Sequence, residues 1–305
     1  MPLGGPRSKH WSDPDLTEVA KVTDDPRTLV STDWLAQHLN DPDLRVIDAS
    51  WYLPAMQRDA KAEYEAAHIP GARHVDIDAL SDARSELPHM APPPEKFMSR
   101  MRALGIGDGH QVVVYDGAGL FSAARVWWMF KLMGHMDVAV LDGGFPKWQA
   151  EGHPVEDMAP VIRDRHMTVR RQAHLVRDVT QVSSAAKLGD HEIIDARPAA
   201  RFAGSDPEPR PGLRAGHIPG SKNLPFTALL NGDGTLKSPE ALRAAFEAAG
   251  VDLGKPAITS CGSGVTAAVL SLAMERFGKR DHSLYDGSWS EWGQFPTLPV
   301  ATGED

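Results

Sequence analysis

The stretch "AAHIPGARHVDIDAL" at 66–80 returns as "RAGHIPGSKNLPFTAL" at 214–229, with His68 and His217 149 positions apart. Two further motifs repeat in the same order at nearly the same spacing. "LRVIDAS" (44–50) matches "HEIIDAR" (191–197), with Asp48 and Asp195 147 apart, and "VLDGGFPKW" (140–148) matches "LYDGSWSEW" (284–292), with Asp142 and Asp286 144 apart. Three motifs in one order mean that the chain states one fold twice. Each copy alternates short β-rich runs with helical stretches. The first reads "RVIDA", "RHVDI", a helix near 94–104, "QVVVYD", the helix "SAARVWWMFKLMGH" and "VAVLD"; the second reads "EIIDA", "KNLPF", the helix "SPEALRAAFEAAG", "PAITS", the helix "VTAAVLSLAMERFG" and "HSLYD". Buried-strand runs separated by helices predict parallel α/β architecture. Gly134, Gly250 and Gly278 sit where helices end, and Ser238-Pro239-Glu240 reads as a helix start.

Composition bounds what such a pair of domains does. The 305 residues match a length prior of about two ordinary domains. The formal charge of −9 argues against nucleic acid as a partner, because a phosphate-backbone binder needs a basic face. No apolar run approaches the roughly 18 residues of a membrane span, so no membrane contact is expected. Residues 1–27 read as a loose N-terminal arm without the apolar core of a signal peptide, a composition also compatible with a cleaved organellar leader. The first copy then occupies 28–155, a charged, weakly periodic linker 156–173, and the second copy 174–305.

The chain has a single cysteine, Cys261 in "TSCGSGVTAA" (259–268), which rules out an internal disulfide and any cysteine-rich metal site and suggests a reducing compartment, the cytosol. It lies between a strand and a helix, in the kind of loop where open α/β sheets put their ligands. Gly262, Ser263 and Gly264 can turn several backbone N–H groups inward, and the next helix adds its positive end, so a thiolate is favoured there. The glycines also admit a substrate close to the sulfur. The first copy has "VYDGAGLFSAA" (114–124) at this place, with Asp116 or Gly117 near the cysteine position, so the scaffold does not need the thiol to fold.

The two "HIPG" motifs, "DGSWSEW", "DASWYLP" (48–54), "RVWWMF" (125–130), "RFAGSDPEPRPG" (201–212) and the loop "CGSGVT" together resemble the two-domain rhodanese-type sulfurtransferases, from about residue 28 onward. The resemblance implies two tandem rhodanese-like domains, each a central, mainly parallel sheet flanked by helices, of which the second is catalytic. The loop is that of members that take sulfur from 3-mercaptopyruvate. Cys261 would then accept that sulfur as a persulfide, release pyruvate, and pass the sulfur to a thiol such as thioredoxin or to cyanide. The residues themselves offer no metal constellation and no nucleotide loop, "GAG" (117–119) and "GSG" (262–264) being too short for a phosphate fingerprint, so no cofactor and no metal are expected. The resemblance assigns Ser263 a proton relay with His89 of "ELPHM" and Asp78 of "VDIDAL". It assigns the donor carboxylate to Arg201 and Arg210, whose guanidinium groups suit bidentate binding, with Gly262, Gly264, Val265 and Thr266 completing the donor site. Arg197 is expected to anchor the loop, His68 and His217 to hold turns, and Trp127, Trp128, Trp148, Trp289 and Trp292 to fill cores.

Relatives that use thiosulfate carry "CRKGVT", two cations where this chain has Gly262 and Ser263. The neutral pair therefore favours a carboxylate-bearing thiol, with a thiosulfate:cyanide sulfurtransferase as the alternative. A phosphatase of related fold needs arginine six residues after the cysteine, where Ala267 stands. A non-catalytic binding module would be expected to lack the cysteine or the intact loop.

Overall fold

The computed structural model describes residues 24–303. The predicted arm at 1–27 lies, for residues 1–23, outside the described residues. Ten strands form two sheets: β1 Leu29–Val30, β2 Leu44–Asp48, β3 Arg73–His74, β4 Gln111–Tyr115 and β5 Val138–Leu141 in the first, β6 Val176–Arg177, β7 Glu192–Asp195, β8 Lys222–Asn223, β9 Ala257–Ser260 and β10 His282–Tyr285 in the second. Their orders, β1-β5-β4-β2-β3 and β6-β10-β9-β7-β8, are the same order twice. Every pairing within them is parallel. Central strands such as "QVVVY" and "AITS" are buried along most of their length, as a sheet covered on both faces requires.

Two expected strands are shorter than "RHVDI" and "KNLPF" suggest. After His74 the Asp76 side chain accepts from the N–H groups of Asp78 and Ala79 and starts a helix, Ile77–Leu80. After Asn223, Pro225 precedes a 3₁₀ turn, Phe226–Leu229. The Asp76 cap ends the first strand at two residues, and Pro225, which has no N–H to give the ladder, ends the second. Gly134, Gly250 and Gly278 all take positive φ just past helix ends, as a C-terminal cap demands.

The helices that follow the two cradle loops, Ala123–Leu132 and Ala267–Arg276, pack against each other across the two copies. All ten residues of the first and eight of the ten in the second are buried, so one apolar core runs continuously from sheet to sheet. Trp127, Trp128, Trp148, Trp289 and Trp292 are all at most 1% exposed. The segment 157–172 has no helix or strand but lies along the first copy. Asp108 N–H donates to the His166 carbonyl (2.9 Å), Arg170 N–H to Met133 (2.9 Å) and Gln172 N–H to Leu132 (2.7 Å).

The "HIPG" histidines are buried turn anchors. His68 hydrogen-bonds the Tyr64 carbonyl through Nδ1 (2.7 Å) and stacks on that ring, while His217 does the same with the Phe202 carbonyl (2.9 Å) and ring. Each turn is closed by an antiparallel bridge to the segment after its own domain's last helix, His68 to Glu156 and His217 to Ala301.

Candidate active site

Cys261 immediately follows β9 and is 2% exposed. Its loop closes over the sulfur: Gly264 takes φ +80° and its N–H donates to Cys261 Sγ at 3.1 Å. Of the several amides the sequence suggested, this is the one that reaches the sulfur among the described residues. The loop backbone is held from beneath by "DGSWSEW". Trp289 N–H donates to the Cys261 carbonyl (2.9 Å), Ser290 N–H and Oγ to the Gly262 carbonyl (2.8 and 2.6 Å), and Cys261 N–H to Ser288 Oγ (3.3 Å). Val265 is buried in this packing, and Thr266 precedes the helix at its N-cap.

The first copy shows what such a cradle holds. Asp116 follows β4 as Cys261 follows β9, and its carboxylate accepts four backbone N–H groups, from Ala118, Phe121, Ser122 and Ala123, at 2.8 to 2.9 Å. Phe145 N–H donates to the Asp116 carbonyl (3.0 Å), the counterpart of Trp289 on Cys261. Asp116 is wholly buried, and Tyr52 and Arg58 close over Gly117, so the first cradle is occupied by its own chain's anion.

Beside Cys261 a polar chain crosses between the copies. Ser263 Oγ lies 2.8 Å from His89 Nδ1, and His89 Nε2 lies 3.0 Å from Asp78 Oδ1. Ser263 and His89 are buried, whereas the Asp78 side chain is exposed. The His89 hydrogen bond holds the Asp78 carboxyl below the usual carboxylate range, helped by the indole N–H of Trp51 at 2.9 Å. A proton on Nε2 facing that carboxylate leaves Nδ1 to accept from the Ser263 hydroxyl.

His89 is held in a left-handed conformation, φ 60°, which costs a non-glycine residue energy. Its carbonyl accepts from Arg125 Nη2 at 2.6 Å, and the same nitrogen meets Asp286 Oδ1 at 2.5 Å. Asp286 Oδ2 accepts from Ala91 N–H (2.8 Å), and Arg125 Nη1 reaches the Gly264 carbonyl (3.4 Å). The buried guanidinium thus fastens the histidine loop of the first copy to the cysteine loop of the second. Sequence reading took "RVWWMF" and "DGSWSEW" as motif and core and missed this pairing.

Arginines gather near the cysteine loop. Arg197 is 1% exposed over the Trp289 ring, chelates Asp195, and donates to Glu208 Oε1 (2.7 Å) and the Gly216 carbonyl (2.8 Å), an anchor rather than a free charge. Arg201 Nη2 pairs with Glu208 Oε2 at 2.5 Å and lies over Gly262, 3.3 Å from where a Cβ would stand. Glu208, 2% exposed at its side chain, was not singled out in the sequence. Arg210 makes no hydrogen bond among the described residues and feels the charges of Cys261, Arg201, Glu208 and Asp78. Among the described residues no group of three His, Cys, Asp or Glu could hold a metal, and no helix is long and apolar enough to cross a membrane.

The family model for the rhodanese-like domain matches residues 31–151 and again 178–295. The chain belongs to the rhodanese family and carries its domain twice. Among its relatives are the 3-mercaptopyruvate sulfurtransferase of Escherichia coli K12, 46% identical over 89% of this chain and 96% of that one, and the mitochondrial thiosulfate/3-mercaptopyruvate sulfurtransferase 1 of Arabidopsis thaliana, 44% identical over 90% and 78%. The crystal structure of SseA from Escherichia coli matches with a TM-score of 0.79 and 44% identity, covering 86% of this chain and 99% of that one.

Proposed function

We propose that this chain is a sulfurtransferase that moves the sulfur of 3-mercaptopyruvate through a persulfide on Cys261 to a thiol, such as that of thioredoxin, or to cyanide. The names of the relatives couple the family to both 3-mercaptopyruvate and thiosulfate, so the choice of donor rests on chemistry. The observation that carries it is the Ser263–His89–Asp78 chain, which begins in the cysteine loop two residues after Cys261. Thiosulfate gives up its outer sulfur by S–S cleavage and leaves as sulfite, with no proton to manage. Mercaptopyruvate gives up sulfur by C–S cleavage, which produces an enolate that must be protonated and begins from a thiol that must lose its proton.

In this reading the Cys261 thiolate attacks the donor sulfur, an S–S bond forms, and the C–S electron pair passes into the pyruvate enolate. Gly264 N–H steadies charge on Sγ, and Ser263, backed by His89, moves the thiol proton toward the enolate carbon. Arg210, together with the remaining N–H groups of Arg201, binds the donor carboxylate, while Gly262, which faces Arg201, leaves room for it; the bare Cα of Gly264 makes room for Arg125 and the Asp286 backbone instead, and Val265 and Thr266 set the loop's exit into the helix. An acceptor thiolate then attacks the outer sulfur and frees the Cys261 thiolate. In the same reading the first domain spans 28–155, a linker 156–173 and the catalytic domain 174–305. A reducing compartment, the cytosol, suits an enzyme that works through one free thiol. Steady-state kinetics with 3-mercaptopyruvate and thiosulfate side by side test the proposal; equal use of the two would remove the donor assignment.

A further inference from the structure

The cationic wall beside Cys261 holds three guanidinium groups, Arg197, Arg201 and Arg210, against two buried carboxylates, Asp195 and Glu208. Asp195 is consumed by Arg197. Glu208 is shared: one oxygen meets Arg197 at 2.7 Å, the other meets Arg201 at 2.5 Å, and its side chain is 2% exposed. With little water to screen it, that carboxylate cancels one of the two charges that face the donor. The wall is left with one net positive charge, on Arg210.

We propose that Glu208 is a specificity-determining residue: by neutralising Arg201 it gives the donor site a capacity of one negative charge, matching a monocarboxylate and rejecting a dianion. The inference rests on Arg201 and Arg210 lining the donor site. It differs from the effect of the neutral Gly262–Ser263 pair, because it acts through a guanidinium already present, that of Arg201 over Gly262. Without Glu208 the same arginines would suit a dianion such as thiosulfate or sulfate.

The test uses the full-length protein and a readout independent of turnover. Cys261 is alkylated with iodoacetamide, and protection is titrated with sulfate as the dianion and pyruvate as the monoanion. Glu208→Gln keeps the shape of the side chain and removes its charge. It is expected to tighten sulfate protection by about tenfold while changing pyruvate protection by less than about threefold, and to raise the thiosulfate to mercaptopyruvate kcat/KM ratio in parallel. The Arg201→Gln/Glu208→Gln pair restores one net charge and is expected to return both ratios to within about threefold of wild type. Arg201→Gln alone moves charge the other way and is expected to weaken sulfate more than pyruvate. Should Glu208→Gln not fold, that variant decides by itself.

Equal changes for the two anions in whichever single variant folds, or a shifted ratio in the double variant, would overturn the role of Glu208. A failure of mercaptopyruvate turnover in wild type, with the alkylation results as expected, would instead remove the proposed activity and leave the charge capacity standing.

Discussion

Arg125 and Asp286 form an ion pair at 2.5 Å, 0% and 7% exposed at their side chains, that joins the two copies directly beneath the His89 loop. A buried pair stripped of one partner leaves an uncompensated charge. Arg125→Met is therefore expected to lose about 3 to 5 kcal/mol of stability in denaturant titrations. Because Arg125 also holds the His89 carbonyl, Arg125→Lys should lower kcat for mercaptopyruvate with a smaller change in KM. An unchanged kcat in a folded Arg125→Lys protein would show that the pair only fastens the domains.

Cys261→Ser is expected to abolish sulfur transfer from either donor while leaving the fold intact, since the first copy builds its strand-to-helix loop around Asp116 with no thiol. Mass spectrometry of wild type given donor without acceptor should find one sulfur added, at Cys261. Residual turnover in the serine variant would eliminate the persulfide.

Asp116 supplies an internal measure of what the cradle is worth. Its carboxylate takes four backbone N–H groups in a buried site, and charge-assisted bonds contribute more than neutral ones. Asp116→Ala should cost on the order of 3 kcal/mol. A small anion such as formate should restore part of the loss in thermal melts; chloride-matched controls with the same Tm gain would show a mere salt effect.

Much of this was open to the sequence because duplication prints each constraint twice. The "HIPG" turns, the glycine caps and the cradle loops stand at fixed intervals, and backbone demands of that kind tie residue type to place. The pairings that build the site are another matter. His89 and Ser263 are 174 residues apart, and only a resemblance joined them. Glu208 lies in "DPEPRPG", where its charge reads as one more loop carboxylate; its partners, Arg197 and Arg201, become visible once the chain is folded. Arg125 occurs in a run of bulky apolar residues whose pattern says core. It is indeed core, which is why its charge had to find Asp286.

Asp142 is the first-copy counterpart of Asp286, but Val269 stands in the facing helix where Arg125 stands for Asp286. With the Leu236 N–H as its hydrogen-bond donor (2.7 Å), burial pushes its pKa up from 3.8 to about 6. Between those values the native state holds a proton that the unfolded chain has released. Stability therefore falls as pH rises through that window, by an amount on the order of 3 kcal/mol. Asp142→Asn titrates at no pH and should flatten this segment of the stability profile, gaining on wild type above about pH 6. Parallel profiles for the two proteins between pH 4 and 7 would locate the titration elsewhere.

Donor choice follows from the charges on both sides of Cys261. Thiosulfate brings two negative charges close to the sulfur; mercaptopyruvate brings one, several bonds away. The loop offers Gly262 and Ser263, neither of them charged, and the wall offers Arg210 with Arg201 paired to Glu208. Wild type should prefer 3-mercaptopyruvate by at least about tenfold in kcat/KM, equivalent to roughly 1.4 kcal/mol. Gly262→Arg with Ser263→Lys should move the preference toward thiosulfate, because each added cation favours the dianion more, although solvent at the mouth screens part of the gain. The same change should reduce mercaptopyruvate turnover through the loss of the Ser263 hydroxyl from His89. Geometry adds a constraint: a side chain at Gly262 begins 3.3 Å from Arg201 Nη2, so the new arginine must point away from Arg201. Ser263→Ala separates the two effects, and is expected to lower kcat with mercaptopyruvate by about a hundredfold while leaving thiosulfate kinetics nearly unchanged. Equal losses with both donors in Ser263→Ala would mean that the hydroxyl supports the loop and moves no proton.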